Sequence, residues 1–300
     1  MLIFCAVVAI LLLYLLITKK PMYYCQVAAG NRYLELKEYD VALNHYNRAI
    51  RINPNKLSAY VGKSMTLIEL KKSAEALELS TKCIELAPNK AKAYKPRIIL
   101  NWKLKDYESI LKDTAVILNM DSSNLLAHTY RAKVYFRKKN YSRAARYFSD
   151  VIDLNKKNSD TYDLLSATYI RLGDYNLALD TANKSIEINS NNATAYTNLA
   201  HALLKMNKAK QAKEYIKQAI AIDNNIFDEY MILAIINLIE NDSKTFYESL
   251  NIALSKEFNY VDYFENDIFD VVRNQEEFKA LLIKFEEKSN SEKLELEKVM

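Results

Sequence analysis

The stretch ELKEYDVALNHYNRAIRINPN, residues 35–55, recurs twice in similar form further along the chain. RKKNYSRAARYFSDVIDLNKK at 137–157 lies 102 residues later, and RLGDYNLALDTANKSIEINSN at 171–191 lies 136 residues later. Both offsets are multiples of 34, the distance that also separates Pro54 from Pro88. A fixed period of this length is typical of repeat architectures.

A 34-residue frame that begins at Tyr23 fits the chain to residue 260 without insertion or deletion. It gives seven repeats: 23–56, 57–90, 91–124, 125–158, 159–192, 193–226 and 227–260. Small residues recur at positions 8 and 20, where they let two helices approach closely, and bulky residues at positions 4, 11 and 24 fill the space between helices. Each repeat is therefore predicted to be two antiparallel helices joined by a short polar turn.

Glycine and proline are scarce, with three and four residues in a chain of 300. Sheets joined by tight turns use both residues freely, so a sandwich, a barrel or a doubly wound fold is not expected. No two glycines lie closer than 32 residues, which excludes the glycine-rich phosphate loops of Walker and Rossmann sites. The composition indicates an all-α protein.

The repeat resembles the tetratricopeptide repeat family over residues 23–260. Repeat 1 carries the resemblance best, with Gly30, Tyr33, Ala42, Tyr46, Ala49 and Pro54 in place; repeats 3 and 7 depart from it, with Ile98, Ile110, Ile117 and Phe246 where small residues are usual. The resemblance implies an α-solenoid, a right-handed superhelix in which the first helices of successive repeats line a concave groove. Residues 261–300 break the period and are predicted to form a helical cap and a charged tail.

The N-terminal segment MLIFCAVVAILLLYLLITKK is apolar from Met1 to Ile17. Residues 1–20 are predicted to be a transmembrane signal-anchor helix, with residues 1–18 in the membrane. Lys19 and Lys20 flank its C-terminal end, so the positive-inside rule places the repeats in the cytoplasm and the N-terminus outside. The alternative is a leader that exports the repeats.

Charge, cysteine and histidine give no sign of a chemical site. Lys and Arg number 42 against 37 Asp and Glu, a net charge of +5, and this mild excess does not predict nucleic-acid binding. The cysteines Cys5, Cys25 and Cys83 and the histidines His45, His128 and His201 are dispersed, so neither a disulfide framework nor a metal site is indicated. No catalytic residue, cofactor or metal is predicted, and the chain is not expected to be an enzyme.

The concave groove is the candidate binding surface. The resemblance implies that positions 2, 5, 9 and 13 of each repeat face it. Seven cations fall there in repeats 3 to 6, with Asp160 and Asp163 as the main acids: Lys92, Lys95, Lys103, Lys133, Arg137, Arg171 and Lys205. Such cations pair readily with carboxylates or phosphates, which predicts binding of acidic protein segments. The alternative is a solvated face whose charge is balanced by the outer helices.

These observations predict a membrane-anchored scaffold or adaptor that holds segments of other proteins in its groove. Anchoring would raise its local concentration at the membrane. Two alternatives stay open at this point: an exported repeat protein of envelope assembly, and a regulatory subunit of an envelope enzyme.

Overall fold

The computed structural model describes residues 20–225, 227–256 and 269–299, and all regular elements within them are helices. The chain divides into two compact units, an N-terminal unit that ends at Lys139 and a C-terminal unit that begins at Asn140. In chain order the helices are α1 (residues 20–35), α2 (Tyr39–Ile52), α3 (Leu57–Glu69), α4 (Ser73–Leu86), α5 (Ala91–Lys103), α6 (Tyr107–Met120), α7 (Leu125–Arg137), α8 (Tyr141–Leu154), α9 (Ser159–Leu172), α10 (Tyr175–Ile188), α11 (Ala193–Lys205), α12 (Ala209–Ile222), α13 (Phe227–Ile239), α14 (Ser243–Leu254), α15 (Asp270–Arg273) and α16 (Glu276–Val299). The fold is an all-α helical repeat solenoid.

The small residues at positions 8 and 20 lie where the two helices of a repeat touch. Position 20 is fully buried in all seven repeats: Ala42, Ala76, Ile110, Ala144, Ala178, Ala212 and Phe246. The Ser64 hydroxyl at position 8 donates to the Ala76 carbonyl at 3.2 Å, and Ser166 donates to Ala178 in the same way at 2.8 Å. These bonds join position 8 of the first helix to position 20 of the second and explain why small side chains are needed there.

The turn inside each repeat contains one residue with left-handed backbone, always at position 15. These residues are Lys37, Lys71, Lys105, Lys139, Gly173, Asn207 and Asn241, with φ between 57° and 85°. In repeat 2 the turn is closed by a bond from the Lys71 amide to the Ile68 carbonyl (3.1 Å) and another from the Lys72 amide to the Leu67 carbonyl (3.0 Å). This is the Schellman arrangement, which satisfies the last carbonyls of the first helix.

Replacing a position-15 lysine by glycine is expected to stabilise the fold. A Cβ atom is disfavoured in the left-handed region and glycine is not, so Lys105→Gly should raise the free energy of unfolding by about 0.5–1 kcal/mol. The matched control is Lys112→Gly inside α6, which should lower it by about 1 kcal/mol. Urea denaturation measures both. A Lys105→Gly variant less stable than the parent would contradict the strain at this turn.

The last helix packs on the seventh repeat. Phe278 and Phe285 of α16 share a buried apolar cluster with Phe246 and Leu250 of α14. Residues 257–268, which include the end of the seventh repeat and the first part of the predicted cap, lie outside the described residues. The charged tail is helical to Val299.

The structure corrects the predicted membrane location. Crossing a bilayer as a helix takes about 20 consecutive apolar residues, and in the ranges that the structure describes no helix combines that length with that apolarity. The long helix α16 is rich in Glu and Lys along its whole length. The prediction of a single-pass membrane protein, with its N-terminus outside and its repeats in the cytoplasm, is therefore wrong for the helices that the structure describes. The predicted anchor, residues 1–20, lies outside the described residues except for Lys20.

Candidate protein-binding surface

Position 13, near the end of each first helix, is exposed in all seven repeats. Its occupants are Glu35, Glu69, Lys103, Arg137, Arg171, Lys205 and Ile239. In the N-terminal unit, Lys103 Nζ donates to Glu69 Oε1 at 3.0 Å, although the two residues are 34 apart in sequence. The position-13 side chains of repeats 2 and 3 therefore lie side by side. The contact also partly neutralises Lys103, which the sequence analysis listed among the groove cations.

The other predicted cations of the N-terminal unit differ in exposure. Lys92, Lys95 and Arg137 are exposed, whereas Lys133 is half-buried. The Lys133 ammonium lies 5.7 Å from the centre of the Tyr130 ring, within reach of a cation–π interaction. Together with Lys103, these residues are five of the seven predicted cations, and all five lie in the N-terminal unit.

The C-terminal unit places two of the predicted cations near a histidine. The pKa of His201 is lowered to about 4, chiefly by burial; the positive charges of Lys205 and Arg171 contribute to the lowering, and Asp228 opposes it. His201 is therefore neutral at pH 7, and the positive charge of this patch comes from Arg171 and Lys205. His201 occupies position 9 of repeat 6, a position that the resemblance assigns to the groove, but the sequence analysis named only the charged residues there.

Asp163, predicted to be one of the main acids of the groove, is buried instead. Its carboxylate accepts a hydrogen bond from Asn192 Nδ2 at 2.7 Å, and its backbone carbonyl accepts one from Asn198 Nδ2 at 3.0 Å. Burial raises the pKa of Asp163, and its bonds to Asn192 and Ser185 oppose that effect. Asp163 thus holds α9 to the segment before and within α11, and of the two predicted acids Asp160 alone is exposed.

A second buried acid lies at the start of α13 and was not identified from the sequence. Glu229 is 0% exposed, its Oε1 accepts a hydrogen bond from the Thr197 hydroxyl at 3.1 Å, and its Oε2 has no hydrogen-bond partner. The pKa of Glu229 is raised to about 7, chiefly by burial; Asp223 and Asp228 contribute to the rise, while Thr197 and Lys256 oppose it. The sequence held one sign of this burial. Glu229 occupies position 3 of its repeat, and the other repeats hold small residues there: Cys25, Ala59, Ala93, Ala127, Thr161 and Ala195.

Comparisons with known proteins identify the repeat. A family model described as "TPR repeat" matches residues 30–62, and two described as "Tetratricopeptide repeat" match residues 57–90 and 169–232. The chain contains tetratricopeptide repeats. The resemblance in the sequence is thereby confirmed for the repeat family. Membrane anchoring gains no support from these matches, and no curated protein matches the chain significantly.

Solved structures share this tetratricopeptide fold at low sequence identity. A tetratricopeptide repeat protein from Parabacteroides merdae ATCC 43184 aligns with a TM-score of 0.63 at 18% identity, over 88% of this chain and 99% of that one. The C-terminal part of a TPR repeat-containing protein from Cytophaga hutchinsonii gives 0.58 at 15%, over 80% and 98%. A chain of the APC/C hetero-tetramer Cut9-Hcn1 gives 0.61 at 18%, over 71% and 42%. At these identities the likeness shows the fold alone.

Proposed function

We propose that this tetratricopeptide repeat protein is a scaffold that binds segments of other proteins on its first-helix face and has no catalytic activity of its own. The observation that carries the proposal is the exposure of position 13 in every repeat. A helical array offers such side chains on a rigid, preformed surface, which lowers the entropic cost of binding. The Cut9-Hcn1 structure is a hetero-tetramer, so this fold is found in a protein complex, which is consistent with the proposal.

The patch of the C-terminal unit favours acidic segments. Arg171 and Lys205 are both exposed, and both influence the same histidine. Among the ion pairs of the described residues, neither cation has a carboxylate partner, in contrast to Lys103. An arginine fork and a lysine ammonium form strong charge-assisted hydrogen bonds with carboxylates. An acidic side chain of a partner would supply the carboxylate that the patch lacks.

The test compares two double charge reversals in the C-terminal unit. Partners are first identified by crosslinking in cells, and their capture by the parent chain is compared with capture by Arg171→Glu/Lys205→Glu. Capture should fall about tenfold, because repulsion replaces attraction at a partly exposed surface. It should also weaken as salt is raised.

The control for this experiment is Lys184→Glu/Lys217→Glu. Both lysines are exposed, on α10 and α12, the second helices of their repeats, and the change in net charge is the same. Circular dichroism should show that both double variants are folded. If the control reduces capture as much as the patch variant does, general charge rather than the first-helix face governs binding and the proposal fails.

A further inference from the structure

Four consecutive turns carry a lysine at the residue whose backbone is left-handed. Lys37, Lys71, Lys105 and Lys139 have φ of 61°, 59°, 60° and 57°. This conformation costs an ordinary side chain about 1–2 kcal/mol, because Cβ comes too close to the following carbonyl oxygen. Side chains kept in such strained places tend to occur at functional sites. The equivalent residues of the last three repeats are glycine and asparagine, which tolerate the conformation better.

Charge separates the turns of the first four repeats from those of the last three. Positions 14 to 16 of the first four repeats hold six lysines and two acids: Lys37, Lys71, Lys72, Lys105, Lys138 and Lys139, with Glu38 and Asp106. The same positions of the last three repeats hold one lysine and three acids: Lys208, with Asp174, Glu240 and Asp242. The basic character is thus confined to the turns of repeats 1 to 4.

The strained lysines are the ones that the fold leaves without partners. Lys72 and Lys138 form ion pairs, with Glu75 at 3.8 Å and with Glu108 respectively. In the part of the chain that the structure describes, no ion pair or side-chain hydrogen bond engages the ammonium groups of the position-15 lysines. All four are exposed. Neither packing nor internal charge pairing accounts for lysine at these places.

Apolar side chains accompany these lysines. Leu36 and Leu104, each directly before a position-15 lysine, are 57% and 52% exposed. Within the N-terminal unit the turns follow one another along one edge of the array, since each repeat contacts its neighbours in the same way. The Glu69–Lys103 contact, two positions before the lysines, supports this side-by-side arrangement.

We propose that the turns of repeats 1 to 4, through Lys37, Lys71, Lys105 and Lys139, bind a segment of a partner protein that mixes acidic and apolar residues. Its carboxylates pair with the lysine row, and its apolar side chains contact Leu36 and Leu104. Nucleic acid fits this edge less well, because binders of single strands interleave their cations with exposed aromatic side chains for base stacking. The tyrosines that follow three of these turns, Tyr39, Tyr107 and Tyr141, are half-buried. This surface lies in the turns, two residues beyond position 13, and the proposal does not depend on the first-helix face binding a partner.

The left-handed backbone allows an unusually clean test. Replacing all four lysines by glycine removes their charge and relieves strain, so the variant should be at least as stable as the parent chain. A loss of binding then cannot be attributed to unfolding. The probe is a fluorescein-labelled peptide of repeated Glu-Glu-Leu triplets, measured by fluorescence anisotropy on the full chain at low salt. We expect the quadruple variant to bind about tenfold more weakly or worse.

The matched control removes four lysines elsewhere in the N-terminal unit. Lys56→Gln/Lys82→Gln/Lys90→Gln/Lys112→Gln makes the same change in net charge at exposed places outside the turns within the repeats, and it should retain binding within about twofold. The proposal is overturned if the parent does not bind the peptide, or if the glycine variant binds as tightly as the parent. It is also overturned if the control loses as much affinity, or if an RNA oligonucleotide of equal length binds the parent more tightly than the peptide.

Discussion

Replacing Tyr46 by alanine is expected to lower the free energy of unfolding by about 3–5 kcal/mol, the usual range for truncating a large buried aromatic side chain. The Tyr46 ring is 0% exposed. It lies between two glycines: a Cβ atom built on Gly30 would come within 2.7 Å of the ring, and one built on Gly62 within 2.3 Å. Because Gly30 is on α1, Tyr46 on α2 and Gly62 on α3, the ring joins three helices.

The tyrosine hydroxyl contributes much less than the ring. It donates to Asn31 Oδ1 at 2.8 Å, a net contribution of about 1 kcal/mol. Tyr46→Phe is therefore the control: it should cost about 1 kcal/mol, while Tyr46→Ala costs several times more. Urea denaturation followed by helical circular dichroism measures both. Equal effects of the two substitutions would contradict the ring's role as the packing centre of the first repeat.

The helical repeat and its packing positions could be predicted from the sequence because they depend on side-chain size at a fixed period. Alanine recurs at position 20 in five of the seven repeats, which predicts a close contact between helices, and the structure buries that position in each repeat. The glycines at 30 and 62 follow the same logic: Tyr46 occupies the space that their missing side chains leave. The size of each side chain and the spacing between equivalent residues can be read from the sequence, and close packing in the core makes both decisive for the structure.

Pairing and burial of charged groups could not be predicted in the same way. Lys103 and Glu69 are 34 residues apart, and their contact depends on how neighbouring repeats are stacked. Asp163 was assigned to the groove from its position, but amide groups of Asn192 and Asn198 reach its carboxylate and its backbone. Such bonds depend on side-chain rotamers and on loops between repeats, which the 34-residue period does not specify. The predicted groove cations remain a prediction until partners are mapped.

The left-handed backbone of the turns is a third feature that could not be predicted from the sequence. A lysine in a polar turn is an ordinary observation in a sequence, and glycine at position 15 occurs only once, as Gly173. The backbone reveals that the same conformation is used seven times, so that the lysines, not the glycine, are the exceptional residues. The period could have located these positions, but their conformation required the structure.

Replacing Glu229 by glutamine is expected to stabilise the protein at pH 8 and to have little effect at pH 5. The pKa of Glu229 is raised from 4.5 to about 7, chiefly by burial. Because the folded chain holds this proton more tightly than the unfolded chain does, the stabilisation is fully present below about pH 4.5 and is lost as the pH rises through about 7. Glutamine has nearly the same shape as protonated glutamate, and it is uncharged at every pH.

The size of the effect follows from the change in pKa. A shift from 4.5 to about 7 corresponds to about 3 kcal/mol of unfavourable interaction with the ionised carboxylate at pH 8. The Thr197 hydroxyl can donate to the glutamine Oε1 as it does to the carboxylate, so the contact between α11 and α13 is retained. Glu229→Gln should therefore be more stable than the parent by up to about 3 kcal/mol at pH 8.

The decisive measurement is the difference in unfolding free energy between variant and parent, obtained by urea denaturation from pH 5 to pH 8. Other acids titrate equally in both proteins, so the difference isolates Glu229 from groups such as Asp163. Glu248→Gln, at an exposed place on α14, is the control, and its difference from the parent should stay nearly constant with pH. The difference in unfolding free energy between Glu229→Gln and the parent depends on pH because the ionised carboxylate is destabilised in the fold. Its Oε2 has no hydrogen-bond partner, and water does not reach it. A stabilisation of the same size at pH 5 and pH 8 would mean that Glu229 has the same pKa in the folded and the unfolded chain, and would refute the buried proton.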